Sequence, residues 1–188
     1  YTQEKGKLEL LARGVKKITS KNSAHLEPFS LVDIDIAYGK EIDYVTTVHI
    51  IEYFAHIRTD LHKSLASQYV VSLTDKLTRV GERDERIFAQ LEKWIRYLDT
   101  HEEFNLVLID CYIVTLLYCL GFSISSANTH VAEPTKQILE LLEKGDLEEV
   151  TKLNLSTQSY QNLHSFIYKY LLYHTEQKVL DWAKTCVI

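Results

Sequence analysis

Methionine is absent from the 188 residues, and cysteine is scarce, with Cys111, Cys119 and Cys186 the only three. An odd count without a CxxC pair argues against a disulfide framework and makes a reducing cytoplasm the simplest home. With no methionine and with Tyr1 opening directly onto turn and strand residues, we expect one or two preceding strands to be missing from this chain, which would leave a small barrel with open edges. No signal peptide is visible. Long apolar runs are also lacking. The longest, residues 106–122, is broken by Asp110 and Thr115 and carries Tyr112 and Tyr118, so it predicts a buried core helix rather than a membrane span.

Chemistry-bearing motifs are equally sparse. The eight histidines show no HExxH or paired ligand spacing, and there is no P-loop and no GxSxG. Cys111 and Cys119 stand eight apart near one face of an apolar helix, as buried structural thiols do. Asp33 and Asp35 share one side of a strand, the wet side if the apolar partners face inward. Glu102 and Glu103 suit the first turn of a helix, where the macrodipole favours anions. An enzyme reading has no residues to stand on, and neither metal nor cofactor is expected.

What is present is a charge asymmetry. Residues 1–21 hold six basic side chains (Lys5, Lys7, Arg13, Lys16, Lys17, Lys21) against two acidic ones, a balance of +4; the remainder holds fifteen against twenty-four, −9, for a chain total of −5. An acidic protein that gathers positive charge at one end is a candidate for binding a polyanion there. An apolar share of 46% and a charged share of 25% fit a folded chain and exclude disordered and fibrous classes.

The period of the pattern changes once. Residues 7–13, 29–38 and 42–54 alternate or are β-branched, predicting three strands of an antiparallel β module, with Gly39 and Lys40 turning between the second and third. Beyond residue 57 the period is near 3.6. A helix capped by Thr59 or Asp60 should bury Leu61, Leu65, Tyr69, Leu73 and Leu77, and Gly81 should close it. The next, residues 84–99, should turn Ile87, Leu91, Trp94, Ile95 and Leu98 inward; residues 103–120 should form the central helix, ended by Gly121. Residues 123–130 lack a pattern. Pro134 opens a helix stopped by Gly145, a short helix starts at Leu147, Ser156 caps the helix of residues 160–173, and a last segment covers residues 176–184. The predicted architecture is α+β, a small β domain over residues 1–57 and a helical domain over residues 58–188.

Five strings occur in an order that resembles the RecO family of DNA-repair and recombination mediators. They are Gly6-Lys7 with Leu11-Ala12-Arg13-Gly14; the basic loop of Lys16, Lys17 and Lys21 leading to Pro28-Phe29-Ser30; YFAHIRTDLHKSLASQYVVSLTDKL; the helix end at Leu120-Gly121-Phe122; and YKYLLYHTEQKVLDWAK. The resemblance implies an N-terminal OB-fold barrel, a helical bundle behind it, and no enzymatic turnover. It further implies binding of single- and double-stranded DNA, strand annealing, and work with RecR to exchange single-stranded-DNA-binding protein (SSB) for RecA, in a bacterial cytoplasm at the nucleoid. By that analogy Lys5, Lys7, Arg13, Lys16, Lys17 and Lys21 carry DNA, with Phe29, Tyr38 and Tyr44 as candidate stacking platforms or ordinary core residues. Two departures stand out. The four-cysteine zinc module of many relatives has no counterpart in residues 123–133. Asp110, Thr115 and Tyr118 occupy positions where the family's central helix often bears outward arginines, which weighs against docking of the acidic SSB tail. The rival reading is a protein adaptor whose lysines merely solubilise it.

Overall fold

The computed structural model describes residues 1–12, 26–127 and 132–185. Three strands, β1 (Leu10–Leu11), β2 (Leu31–Ala37) and β3 (Asp43–Glu52), form an open sheet in the order β1-β3-β2. The short connection at Gly39 forces β2 and β3 antiparallel, with Ile34 opposite Val48 and Asp33 opposite His49. Asp33 and Asp35 are exposed on it, as their alternation with Val32, Ile34 and Ile36 requires. β1 departs from expectation in running parallel to β3, Leu10 beside Asp43 and Leu11 beside Tyr44. The long stretch between β1 and β2 imposes no direction, whereas a two-residue hairpin would. A closed barrel is not formed by these three strands.

The helices are α1 (Ala55–Thr59), α2 (Leu61–Leu77), α3 (Glu85–Thr100), α4 (Val107–Cys119), α5 (Ile124–Ala127), α6 (Glu133–Lys144), α7 (Leu147–Thr151), α8 (Thr157–Thr175) and α9 (Trp182–Thr185). Their boundaries follow local chemistry. Asp60, Asp84, Asp146 and Ser156 each accept a backbone N–H of the first turn of α2, α3, α7 and α8. Pro134 sits in the first turn of α6, and Gly145 ends it with φ +66°. Two short helices, α1 and α5, were not foreseen, since one or two turns carry too little periodicity to register. Glu102 and Glu103, expected in a helix first turn, instead lie exposed in the connection preceding α4.

Helix α4 is the centre. Residues 107–117 are all buried, and α2, α3, α6, α7 and α8 pack around them. This surround corrects the reading of two polar positions: Asp110 and Thr115 point into the bundle, and of the three positions compared with the family's outward arginines only Tyr118 is outward. It also rotates α2. The buried face holds Lys63, Ala66, Ser67, Val70, Leu73 and Thr74, whereas Leu61 is exposed. The small residues Ala66, Ser67 and Thr74 admit close approach to a helix as bulky as α4, and the Thr74 hydroxyl meets the Tyr112 hydroxyl at 2.6 Å. Leu65 and Tyr69 are left on the flank, half-buried. In α3, Ile87, Trp94, Ile95 and Leu98 are buried as the pattern predicts, with Leu91 at the edge.

Candidate nucleic-acid interface

The basic N-terminus begins with a tight turn. Thr2 and Gly6 exchange backbone hydrogen bonds at 2.7 and 3.1 Å, and the Thr2 hydroxyl accepts the Lys5 N–H at 3.1 Å. Gly6 adopts φ +68°, where a side chain is strained, and a Cβ there would overlap the carbonyl of Glu82. The turn is docked on the α2–α3 connection: Gly81 N–H donates to Lys7 O at 2.9 Å, Arg83 Nε donates to Gln3 O at 3.1 Å, and the Tyr1 hydroxyl accepts the Asp84 N–H at 3.2 Å. We predict that Gly6→Ala pushes this turn off the connection. The measurable result is faster amide exchange at Gly81 and Asp84, and unchanged exchange there would show that the contact tolerates a methyl group.

The described lysines of the turn have different situations. Lys5 is exposed; its ammonium bonds the Tyr38 hydroxyl and lies 4.6 Å from the centre of that ring. Tyr38 is itself 71% exposed, so ammonium and ring are presented together. Lys7 is committed, since its Nζ contacts both Oδ1 and the carbonyl of Asp75 at 2.8 Å and it ties the turn to α2. Arg13, Lys16, Lys17 and Lys21 fall outside the described residues. Of the other candidate rings, Phe29 packs against the core with φ +64°, and Tyr44 is half-buried.

The fold adds cations that sequence reasoning passed over. The α2–α3 connection, held against the N-terminal turn, brings Arg79 and Arg83 with it, and Arg79 is 85% exposed with only a 3.9 Å approach to Glu82. Arg83 pairs with Glu85. Arg86 is spent on Asp84 and the Cys119 carbonyl. The string RVGERDER balances three basic residues against three acidic ones, so its net charge gives no signal; only its place on the connection docked against the N-terminal turn makes Arg79 notable. Lys5 and Tyr38 offer a cation for phosphate and a ring for a base, and Arg79 is a further exposed cation on the connection that holds the N-terminal turn.

Elsewhere the two described thiols are inert in character. Cys111 is buried, its thiol pushed up to about 12 by desolvation, and half-buried Cys119 is raised for the same reason. Among the described residues no group of three or more His, Cys, Asp or Glu side chains could hold a metal ion, and no helix is long and apolar enough to cross a membrane.

Comparison with known proteins meets this geometry. Residues 1–54 match the family model described as Recombination protein O N terminal, and residues 58–128 match Recombination protein O C terminal. The chain is 28% identical over 123 residues to the DNA repair protein RecO of Syntrophomonas wolfei, an alignment covering 65% of this chain and 49% of that protein. It is 25% identical to the DNA repair protein RecO of Pelotomaculum thermopropionicum, covering 97% of this chain and 84% of the relative, and 30% identical to that of a Roseiflexus species, covering 62% and 41%. The chain thus spans about half the length of some of the curated relatives it matches. With both terminal models of one family in order along it, this chain belongs to the RecO family.

Proposed function

We propose that this chain is a non-enzymatic DNA-binding and strand-annealing recombination mediator, acting with RecR to load RecA onto single-stranded DNA covered by SSB. The observation that carries the DNA contact is the exposed Lys5–Tyr38 pair, with Lys5 on a turn docked against the connection that carries Arg79. In this reading residues 1–57 form a DNA-binding domain of OB-fold-like type, and residues 58–188 form the scaffold and protein-docking surface. Arg13, Lys16, Lys17 and Lys21, which lie outside the described residues, are further candidate phosphate contacts in this reading. Lys7 reaches phosphate only by leaving Asp75, so its part in binding is the smaller. One exposed ring beside point charges leaves most bases uncovered, as annealing requires; a deep groove of stacked rings would oppose pairing. Protein and DNA meet at the nucleoid of a bacterial cytoplasm.

The test is binding of a fluorescently labelled single strand across a salt series. A log-log slope of several units is expected, since each phosphate contact on single-stranded DNA contributes about 0.7. Lys5→Ala and Arg79→Ala should each lower the slope by about that amount, whereas Tyr38→Leu should weaken binding by about 1–3 kcal/mol with the slope unchanged. Lys7→Ala should leave the slope nearly as it was. Absence of binding at low salt would replace this reading with the adaptor, in which the module binds repair or replication proteins without touching DNA.

A further inference from the structure

The last described stretch of the chain, residues 179–185, is fastened across α8 and α4 by a single imidazole. His164 of α8, 7% exposed, places Nδ1 at 2.8 Å from Asp110 Oδ1 of α4 and Nε2 at 3.0 Å from Asp181 Oδ1. With both carboxylates ionised they only accept, so both ring nitrogens donate and the ring is the imidazolium; burial raises Asp110 above the ordinary carboxylate range while the His164 bond and charge oppose that rise, so the bridging proton belongs to the Asp110–His164 pair. Around it, Trp182 is fully buried and meets His164 edge-on at 4.9 Å; the Tyr168 hydroxyl donates to Val179 O at 2.8 Å; and Lys184 lies 3.3 Å from the second oxygen of Asp181. The Tyr160 hydroxyl and Trp182 indole N–H also bear on Asp110, though neither closes a hydrogen bond of ordinary geometry. The titratable and charged groups facing His164 are therefore Asp110 from α4, Tyr160 and Tyr168 from α8, and Asp181 and Lys184 from the strap.

We infer that residues 179–185 form a pH-sensitive strap, closed while His164 is an imidazolium bridging Asp110 and Asp181 and released when that proton is lost. A neutral imidazole has one donor, so one of its nitrogens would turn a lone pair on a carboxylate, and the bridge fails at that end. Release withdraws Trp182 and uncovers the aromatic row of Tyr160, His164 and Tyr168 on α8. Burial lowers the affinity of His164 for its proton, but the hydrogen bonds and charges of Asp110 and then Asp181 outweigh burial and raise it above the ordinary histidine value. A group raised on folding contributes fully below its unfolded value and loses that contribution as pH rises through its folded one, so the strap opens on the alkaline side. Asp181, held below the ordinary carboxylate range despite partial burial by the His164 and Lys184 bonds, keeps its charge throughout that window.

The test uses the full chain. Nitrogen-15 NMR of His164 should show both ring nitrogens protonated at neutral pH, with deprotonation above the ordinary histidine value of about 6.5. Tryptic cleavage after Lys178, normalised to an unstructured peptide of the same sequence, should accelerate at least about tenfold with the same midpoint, a tenfold change being one unit of titration. Asp181→Asn, at the surface end of the bridge, should move both midpoints down together while circular dichroism holds, and Lys184→Ala should move them far less. A neutral His164 at neutral pH, or strap cleavage that ignores its titration, would overturn the proposal.

Discussion

Trp94→Ala is expected to destabilise the protein by about 3–5 kcal/mol, the range for truncating a fully buried aromatic side chain. Trp94 is 1% exposed on α3; its indole N–H donates to Leu108 O at 2.9 Å, and its ring meets Tyr112 edge-on at 5.8 Å. Three losses coincide in the variant: apolar burial, an aromatic pair worth about 0.5–1.5 kcal/mol, and a partner for the α4 backbone. The cavity cannot collapse easily, because α4 is enclosed on every side by other helices. Urea unfolding followed by circular dichroism measures the effect as a lower midpoint at unchanged slope. Trp94→Phe should retain more than half of the stability, since it keeps most of the volume and the edge contact and gives up only the indole donor. A cost below about 1 kcal/mol for the alanine variant would mean that α3 and α4 repack, contrary to the close-packed interior seen here.

Asp110→Ala should cost a comparable amount, about 3–5 kcal/mol, for an electrostatic reason. Removing one member of a buried ion pair leaves the other uncompensated. Asp110 is fully buried, and the deletion strands the buried His164 with Asp181 as its sole carboxylate. Asp110→Asn, which preserves shape and an acceptor oxygen, should cost less and lower the His164 titration. Because the wild-type bridge weakens as pH rises through the folded His164 value, the deficit of Asp110→Ala should narrow on the alkaline side. Chemical denaturation at several pH values tests this, and a deficit constant with pH would show that Asp110 contributes packing alone.

Local signals in the sequence decided a good part of this protein. Capping side chains at Asp60, Asp84 and Ser156, Pro134 in a first turn, and Gly145 past a helix end each act within a few residues, so the helix boundaries they set are readable without the fold. The alternation around Asp33 and Asp35 fixed which face of β2 is wet, and the run through residues 107–117 marked the central helix. The family resemblance, carried by strings such as Leu11-Ala12-Arg13-Gly14, is likewise a property of the sequence, and both family models bear it out.

What the tertiary structure decided are matters of partnership. The face α2 buries depends on small residues meeting α4, which hydrophobic spacing weighs too lightly because it rewards Leu61 and Leu65. The direction of β1 depends on where a long connection returns. Lys5 and Lys7 are the same residue type two positions apart, yet one is presented beside an exposed ring and the other is neutralised by Asp75, 68 residues further on. Asp110 read as an outward polar position, and it lies in the bundle holding His164, 54 residues away. Charge and period are summed along the chain, whereas the Lys7–Asp75 and His164–Asp110 pairs are made across it, so no short window of sequence contains both members of either.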